Sequence, residues 1–240
     1  MKKWQKRLLW FLGVFVLVIL VGLFYIKTIT YTPTTMAVEA SQKASNENGT
    51  LFFKGDKEKP ALIFYQGALV ESASYSIWAE KVAEAGFSVY LVKEPLNLAV
   101  LGQNKAEEVI RSNHLTSYVI GGHSLGGVMA SRFAAEQDNN ALKGVFFLAS
   151  YPDEKGSLAK FKGQVLSVTG SVDGVLNWQS YDQAKKDLPE QTIFEEIKGG
   201  NHAGFGSYGE QKGDKPAQIN NDEQQQEVAN LLIEWLKTIK

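Results

Sequence analysis

The sequence of 240 residues contains no cysteine and only three histidines. The absence of cysteine excludes disulfide bonds, thiolate metal sites and cysteine nucleophiles together. With so few histidines and no HExxH pattern, we expect no metal site and no cofactor. The net charge is −1, so nothing in the overall charge indicates a nucleic-acid partner. The length is sufficient for one domain with a hydrophobic core.

Charge is also absent from residues 8–26, "LLWFLGVFVLVILVGLFYI". At ~1.5 Å of rise per residue, a helix of this run nearly matches the ~30 Å hydrocarbon core of a bilayer, which predicts a transmembrane anchor. Residues 1–7 are basic and only Lys27 follows the run directly. The positive-inside rule therefore predicts a single-pass protein of the cell membrane, with its N-terminus inside and the bulk of the chain extracytoplasmic.

A cleaved signal peptide is the alternative interpretation of the same run. Such a peptide has a shorter apolar core, with a small-residue cleavage site close behind it. The only acceptable site here, "VEA" at residues 38–40, lies far beyond the apolar run. We therefore favour an uncleaved anchor.

The remaining chain divides into a linker and one domain. Residues 27–49 are polar and rich in threonine and serine, which predicts a linker. Over residues 50–240, short apolar runs alternate with helical patterns, and this alternation predicts an α/β domain with helices on both faces of a mostly parallel sheet of about six or more strands. The predicted strands are 61–67, 87–92, 117–123, 144–150, 164–170 and 192–197, and helices are expected at 75–85, at 104–112, directly after residue 124 and at the C-terminus.

Ser124 lies at the predicted junction between a strand and a helix, in the pattern "GHSLG". A serine at the tip of a sharp strand-to-helix turn has a strained backbone, and side chains two residues before and after it would collide. This requirement explains Gly122 and Gly126. The turn also places Ser124 at a helix N-terminus, where free N–H groups favour developing negative charge. We therefore predict that Ser124 is a catalytic nucleophile.

A serine nucleophile needs a base and an acid. His202 is the only histidine after Ser124, and it lies in a glycine-rich loop between the last predicted strand and the last helix. Asp173 follows the predicted strand 164–170 in a glycine-flanked loop, and Asp153 follows the preceding strand. We favour Asp173 as the acid because such a loop is the usual place for it in the order Ser, acid, His. The other histidines, His114 and His123, are predicted to be structural.

An oxyanion hole needs two backbone N–H donors. One is expected from Leu125, directly after the nucleophile, and the other from the loop after the strand 61–67. We predict that Ala68 supplies the second donor and that Gly67 provides the tight turn.

Five segments carry a resemblance to a known family: "YQGALV", "PLNLAVLG", "GGHSLGG", "TGSVDG" and "GGNHAGFGSYG". Together they resemble the α/β-hydrolase superfamily, and within it a small bacterial branch that is dienelactone-hydrolase-like and frequently membrane-anchored. The resemblance covers residues ~60–240 and implies the α/β-hydrolase fold. Gln66 departs from it, because many relatives have histidine there. The short stretch 151–163 leaves no room for the lid domain that many relatives insert.

These features predict a membrane-anchored serine hydrolase that cleaves small or medium-sized carboxylic esters through an acyl-enzyme. One alternative is a non-catalytic envelope protein that binds a ligand on the same fold. Another is an acyltransferase, which would share every motif. The sequence leaves the oligomeric state open.

Overall fold

The computed structural model describes residues 2–239, which divide into two units at residue 30. The first unit is the helix α1, Lys3–Ile29, and none of its residues is buried. Its length and composition would allow it to cross a membrane. The helix extends the predicted anchor of residues 8–26 at both ends, since the flanking residues continue the helical hydrogen bonds.

The second unit, from Tyr31 onward, is built on one sheet of eight strands. The strands are β1 (Ser45–Glu47), β2 (Thr50–Phe53), β3 (Ala61–Tyr65), β4 (Val89–Val92), β5 (Tyr118–His123), β6 (Leu142–Leu148), β7 (Gln164–Gly170) and β8 (Ile193–Ile197). Their order is β1-β2-β4-β3-β5-β6-β7-β8, with parallel pairing from β4 to β8 and antiparallel pairing of β1 with β2 and of β2 with β4. The predicted fold class is confirmed, and all six predicted strands are present.

Helices cover both faces of this sheet, as the continuous apolar strands predict. In β3, Leu62 and Phe64 belong to one core cluster, whereas Ile63 and Tyr65 belong to the other. Side chains alternate along a strand, so a strand buried on both faces needs an unbroken apolar run. The helices of this unit are α2 (Thr35–Ser41), α3 (Ser76–Glu84), α4 (Lys105–Ser112), α5 (Leu125–Ala135), α6 (Trp178–Ala184) and α7 (Asn221–Thr238). The first cluster contains buried residues of α3 and α7, and the second contains those of α4 and α5.

The structure differs from the predicted linker over residues 27–49. The backbone N–H of Tyr31 donates to Leu69, and Tyr31 in turn accepts from Glu71. The helix α2 buries Ala37 and Ala40, and β1 pairs with β2. These contacts need only small side chains and backbone groups, so they leave no apolar pattern in the sequence. The folded unit therefore begins at residue 31 rather than at residue 50.

Two features of the sheet matter for the site. The connection between β6 and β7 contains a single one-turn 3₁₀-helix, Glu154–Gly156, and no larger insertion. At the sheet edge, four of the five residues of β8 are exposed. Because β5, β6, β7 and β8 are parallel to one another, the loops after β5, β7 and β8 all lie at the carboxyl-terminal ends of the strands.

Candidate active site

Ser124 follows β5 directly and has a backbone φ of 50° and ψ of −122°. A non-glycine residue in this region costs about 1–3 kcal/mol and persists only where its surroundings enforce it. A Cβ on Gly122 would lie 2.5 Å from the Gly127 nitrogen, and one on Gly126 would lie 2.5 Å from the Gln66 carbonyl oxygen. The turn therefore admits only glycine at both positions, for the steric reason expected from the sequence.

Hydrogen bonds to both backbone groups of Ser124 enforce this strained conformation. Its N–H donates to the Leu148 carbonyl at 3.0 Å, and its own carbonyl accepts from the Ser150 hydroxyl at 2.6 Å. The amide of Gly127, in the first turn of α5, also donates to that carbonyl. The side chain of Ser124 is left partly exposed at the tip of the turn.

Asp173 and His202 form a buried pair in the loops after β7 and β8. The Nδ1 atom of His202 donates to Oδ2 of Asp173 at 2.8 Å, and each residue is 1 % exposed. The other carboxylate oxygen, Oδ1, accepts from the backbone N–H groups of Val175 and Leu176, both at 2.8 Å. Three donors thus satisfy the carboxylate, as burial of a charged group requires.

The bond to Asp173 determines the tautomer of His202. A carboxylate can only accept, so the neutral imidazole carries its proton on Nδ1 and leaves a free lone pair on Nε2. Within residues 2–239, no group hydrogen-bonds to this buried Nε2 atom. The His202 ring lies 4.6 Å, between centroids, from the ring of His123, the residue before Ser124. An imidazole with this tautomer can accept a proton from a hydroxyl beside it.

Asp153, the alternative acid, has a different partner. Its carboxylate accepts from Nε of Arg132 at 3.0 and 3.1 Å, pairs with Nη2 of the same residue, and caps the 3₁₀-helix through Gly156. The Arg132 guanidinium lowers the pKa of Asp153. The structure thus brings His202 together with Asp173, and Asp153 together with Arg132.

The loop after β3 contains Ala68, the predicted oxyanion donor, which is exposed to solvent. Neither Ala68 nor Leu125 donates its backbone N–H to another group of residues 2–239. The preceding amide, that of Gly67, instead donates to the Tyr75 hydroxyl at 2.9 Å. Two amides, one in the loop after β3 and one at the N-terminus of α5 directly after Ser124, therefore have no hydrogen-bond partner among residues 2–239.

Tyr75 and His123 hold this loop, and sequence patterns gave no sign of the first. Because the Tyr75 hydroxyl accepts from Gly67, its own proton goes to Nδ1 of His123, 2.9 Å away. Burial, and then the neighbouring His202, hold the pKa of His123 well below its usual range. Burial raises the pKa of Tyr75. Both groups therefore stay neutral, and Tyr75 links the Gly67 amide to His123.

The sequence matches the alpha/beta hydrolase family over residues 61–226, which includes every candidate site residue. The chain belongs to this family. No curated protein matches the sequence.

Solved structures share the hydrolase fold at low sequence identity. A predicted CIB-like hydrolase from Thermoplasma acidophilum has a TM-score of 0.62 at 16% identity, over 82% of this chain and 99% of that one. Dienelactone hydrolase from Anabaena variabilis has a TM-score of 0.59 at 17% identity, over 79% and 91%. Monoacylglycerol lipase from Paleococcus ferrophilus has a TM-score of 0.59 at 14% identity, over 78% and 97%. At such identities the likeness shows the fold.

Gln66, the departure from the family pattern, has a structural partner in this hydrolase. It is fully buried, and its Nε2 atom donates to the Asn97 side chain at 2.9 Å. The Asn97 carbonyl accepts from the Leu69 amide at 2.7 Å. Asn97 has a φ of 56° and its neighbour Leu96 a φ of 53°. The segment "PLNLAVLG" therefore fixes the far end of the loop that carries Ala68.

Proposed function

We propose that this hydrolase cleaves carboxylic esters of small or medium size, with Ser124 as nucleophile, His202 as base and Asp173 as the acid that orients the base. The observation that carries the proposal is the buried Asp173–His202 bond, which leaves Nε2 without a partner in a ring that lies 4.6 Å from the ring of His123, the residue before Ser124. A binding protein would have no need of an oriented base next to a serine held in a strained conformation.

The reaction follows from these roles. The Ser124 hydroxyl loses its proton to Nε2 of His202 while Oγ bonds to the acyl carbon. His202 then gives this proton to the leaving alkoxide, which departs as an alcohol and leaves an acyl-enzyme. Water attacks the acyl carbon in the same way, and its proton returns through His202 to Oγ. The products are one carboxylic acid and one alcohol for each ester and water consumed.

The negative charge of each tetrahedral intermediate develops on the former carbonyl oxygen. The free amides of Ala68 and Leu125 are the proposed donors to it, and removing one such donor typically costs about 10²–10³ in kcat. The N-terminus of α5 adds its dipole at the same place. Asp173 remains ionised throughout and stabilises the His202 imidazolium.

The absence of a large insertion between β6 and β7, within the part of the chain that the structure describes, supports soluble esters as substrates. An open site of this kind can bind a short acyl chain without movement of a cover. We also propose that α1 anchors the enzyme in the cell membrane with residues 1–7 inside and the catalytic unit outside, on the charge distribution around the helix.

A fluorophosphonate probe tests the proposal on the full chain in membranes. We expect one covalent label, which Ser124→Ala abolishes and which His202→Ala reduces nearly as far, because members of a triad act as a unit. His114→Ala, which changes a histidine outside the site, is the control. Labelling that survives in Ser124→Ala contradicts the proposal. A panel of chromogenic esters of graded chain length then measures acyl specificity.

A further inference from the structure

Residues 209–219, which precede α7, have almost no regular structure and are mostly exposed. Asp214 is half-buried within this segment. A polar, irregular stretch normally indicates a surface loop that tolerates sequence change. The hydrogen bonds of Asp214 distinguish it from such a loop.

The Asp214 carboxylate accepts from two catalytic loops at once. Its Oδ1 atom accepts the backbone N–H of Gly174 at 2.9 Å, and its Oδ2 atom accepts that of Ala203 at 2.8 Å. Gly174 directly follows Asp173, and Ala203 directly follows His202. Hydrogen bonds from N–H groups to an ionised carboxylate are roughly twice as strong as those between neutral groups.

The segment also lies in close contact with both loops. A Cβ on Gly174 would be 2.8 Å from the Lys215 nitrogen, so only glycine allows the two backbones to approach this closely. On the other side, the Asn201 side chain donates to the Lys215 carbonyl at 2.8 Å. Asp214 and its neighbour thus bridge the loop after β7 and the loop after β8 from outside.

We propose that Asp214 is a positioning residue, which fixes the Asp173 loop and the His202 loop relative to one another so that the Nδ1–Oδ2 bond keeps its length. This inference rests on the proposed function, because it assigns Asp214 an effect through Asp173 and His202. Asp173 and His202 lie in different loops. Besides their own hydrogen bond, the carboxylate of Asp214 connects these loops directly, because it accepts the backbone N–H groups of Gly174 and Ala203. Asp214 itself does not touch the reacting atoms.

A purely structural role is the competing explanation, because Oδ1 also accepts the N–H of Lys215 at 2.9 Å and so stabilises its own loop. The two explanations differ in what a substitution changes. A loop-holding residue changes the melting temperature, whereas a positioning residue changes kcat at unchanged KM. A displacement of about 1 Å in a catalytic group can cost about 10²-fold in rate.

The test compares Asp214→Ala and Asp214→Asn with Glu210→Ala in the full chain, purified in detergent. Glu210 is the matched control, an exposed carboxylate of the same segment. We expect Asp214→Ala to lower kcat about 10- to 100-fold with little change in KM. Asp214→Asn, in which the amide nitrogen cannot accept one of the two N–H groups, should be intermediate, and Glu210→Ala should resemble the unsubstituted enzyme.

Two further measurements separate positioning from folding. The proton on Nδ1 of His202 should give a far-downfield ¹H NMR signal, which Asp214→Ala broadens or shifts and Glu210→Ala leaves in place. In an Asp173→Asn background, the loss caused by Asp214→Ala should nearly disappear, because both changes act on the same bond.

The outcomes are distinguishable. If the unsubstituted chain does not react with the fluorophosphonate probe at Ser124, the proposed function fails. If it reacts but Asp214→Asn retains full kcat and the downfield signal, the positioning role is refuted. The same holds if the loss caused by Asp214→Ala is unchanged in the Asp173→Asn background. Asp214→Asn serves alone if Asp214→Ala does not fold.

Discussion

The substitution Asp173→Asn tests the geometry of the candidate site most sharply, because the structure determines how the new amide would lie. Oδ1 of Asp173 accepts two backbone N–H groups at 2.8 Å each. The asparagine oxygen must take this position, since the reverse orientation would leave both buried donors facing an NH₂ group. At about 1–3 kcal/mol for each unsatisfied donor, that reversal costs roughly 2–6 kcal/mol.

The amide NH₂ group of the asparagine therefore faces Nδ1 of His202. Two donors cannot share this contact, so the His202 proton moves to Nε2, where it blocks acceptance of the Ser124 proton. Reaching the productive tautomer then costs about as much as the reversal. A loss of about 10³–10⁴ in kcat, which corresponds to roughly 4–5.5 kcal/mol, is the expected result and agrees with the effect of this change in a serine protease.

The assay is hydrolysis of a short-chain chromogenic ester by the full chain, with kcat and KM measured separately. Asp153→Asn is the matched control and should change kcat by less than about threefold, because its carboxylate pairs with Arg132 and its ion pair is partly exposed. Fold retention is checked by the melting temperature. If kcat of Asp173→Asn stays within about tenfold of the unsubstituted value, the tautomer argument is refuted. If Asp153→Asn loses more kcat than Asp173→Asn, the acid is Asp153 in the loop after β6.

Three further predictions concern stability and can be measured by thermal unfolding. Gly126→Ala should lower the free energy of unfolding by about 3 kcal/mol or more, because its Cβ would collide with backbone oxygen atoms. The control Gly209→Ala should lower it by only about 1–2 kcal/mol, because Gly209 has open space around it and only its φ of 84° is unfavourable for alanine. Equal losses would contradict the steric argument. Burial raises the pKa of Glu94 to about 8 from its ordinary value of 4.5, so the contribution of Glu94 to stability is fully present below about pH 4.5 and is lost as the pH rises to about 8. Between these two pH values, Glu94→Gln should lose roughly 2–4 kcal/mol less stability than the unsubstituted chain, and parallel pH dependences of the two chains would refute the reasoning. A chain that begins at residue 31 should have a melting temperature roughly 5 °C above that of a chain that begins at residue 45, because the shorter chain lacks α2. Equal melting temperatures would support the interpretation of residues 27–49 as a linker.

The parts of the fold and site that follow local rules could be predicted from the sequence. The six parallel strands are unbroken apolar runs, and Gly122 and Gly126 flank Ser124 at the spacing that the turn demands. His202 is the single histidine downstream of Ser124 and Asp173 lies in a loop after a buried strand; the structure pairs the two side chains, and their catalytic roles stay predictions. Each prediction needed only chain order and a steric rule.

The parts that depend on backbone contacts between distant segments could not be predicted. Asp214 lies in a polar stretch with no periodicity, and its partners are amides, which every residue carries. Tyr75 resembles an ordinary core aromatic until its hydroxyl is placed between Gly67 and His123. Residues 31–47 read as a linker because strand pairing and the burial of Ala37 leave no hydrophobic pattern.

The exposed strand β8 has a consequence for solubility. An edge strand offers unpaired backbone groups to any second strand, and Ile193 and Phe194 are both exposed there. Lys185 lies 5.5 Å from the Phe194 ring and covers part of it with charge. Glu195 and Glu196 follow on the same strand, so an antiparallel pairing of two copies centred on these residues would bring carboxylates face to face. The charged side chains on and beside β8 thus oppose the addition of further strands at this edge of the sheet.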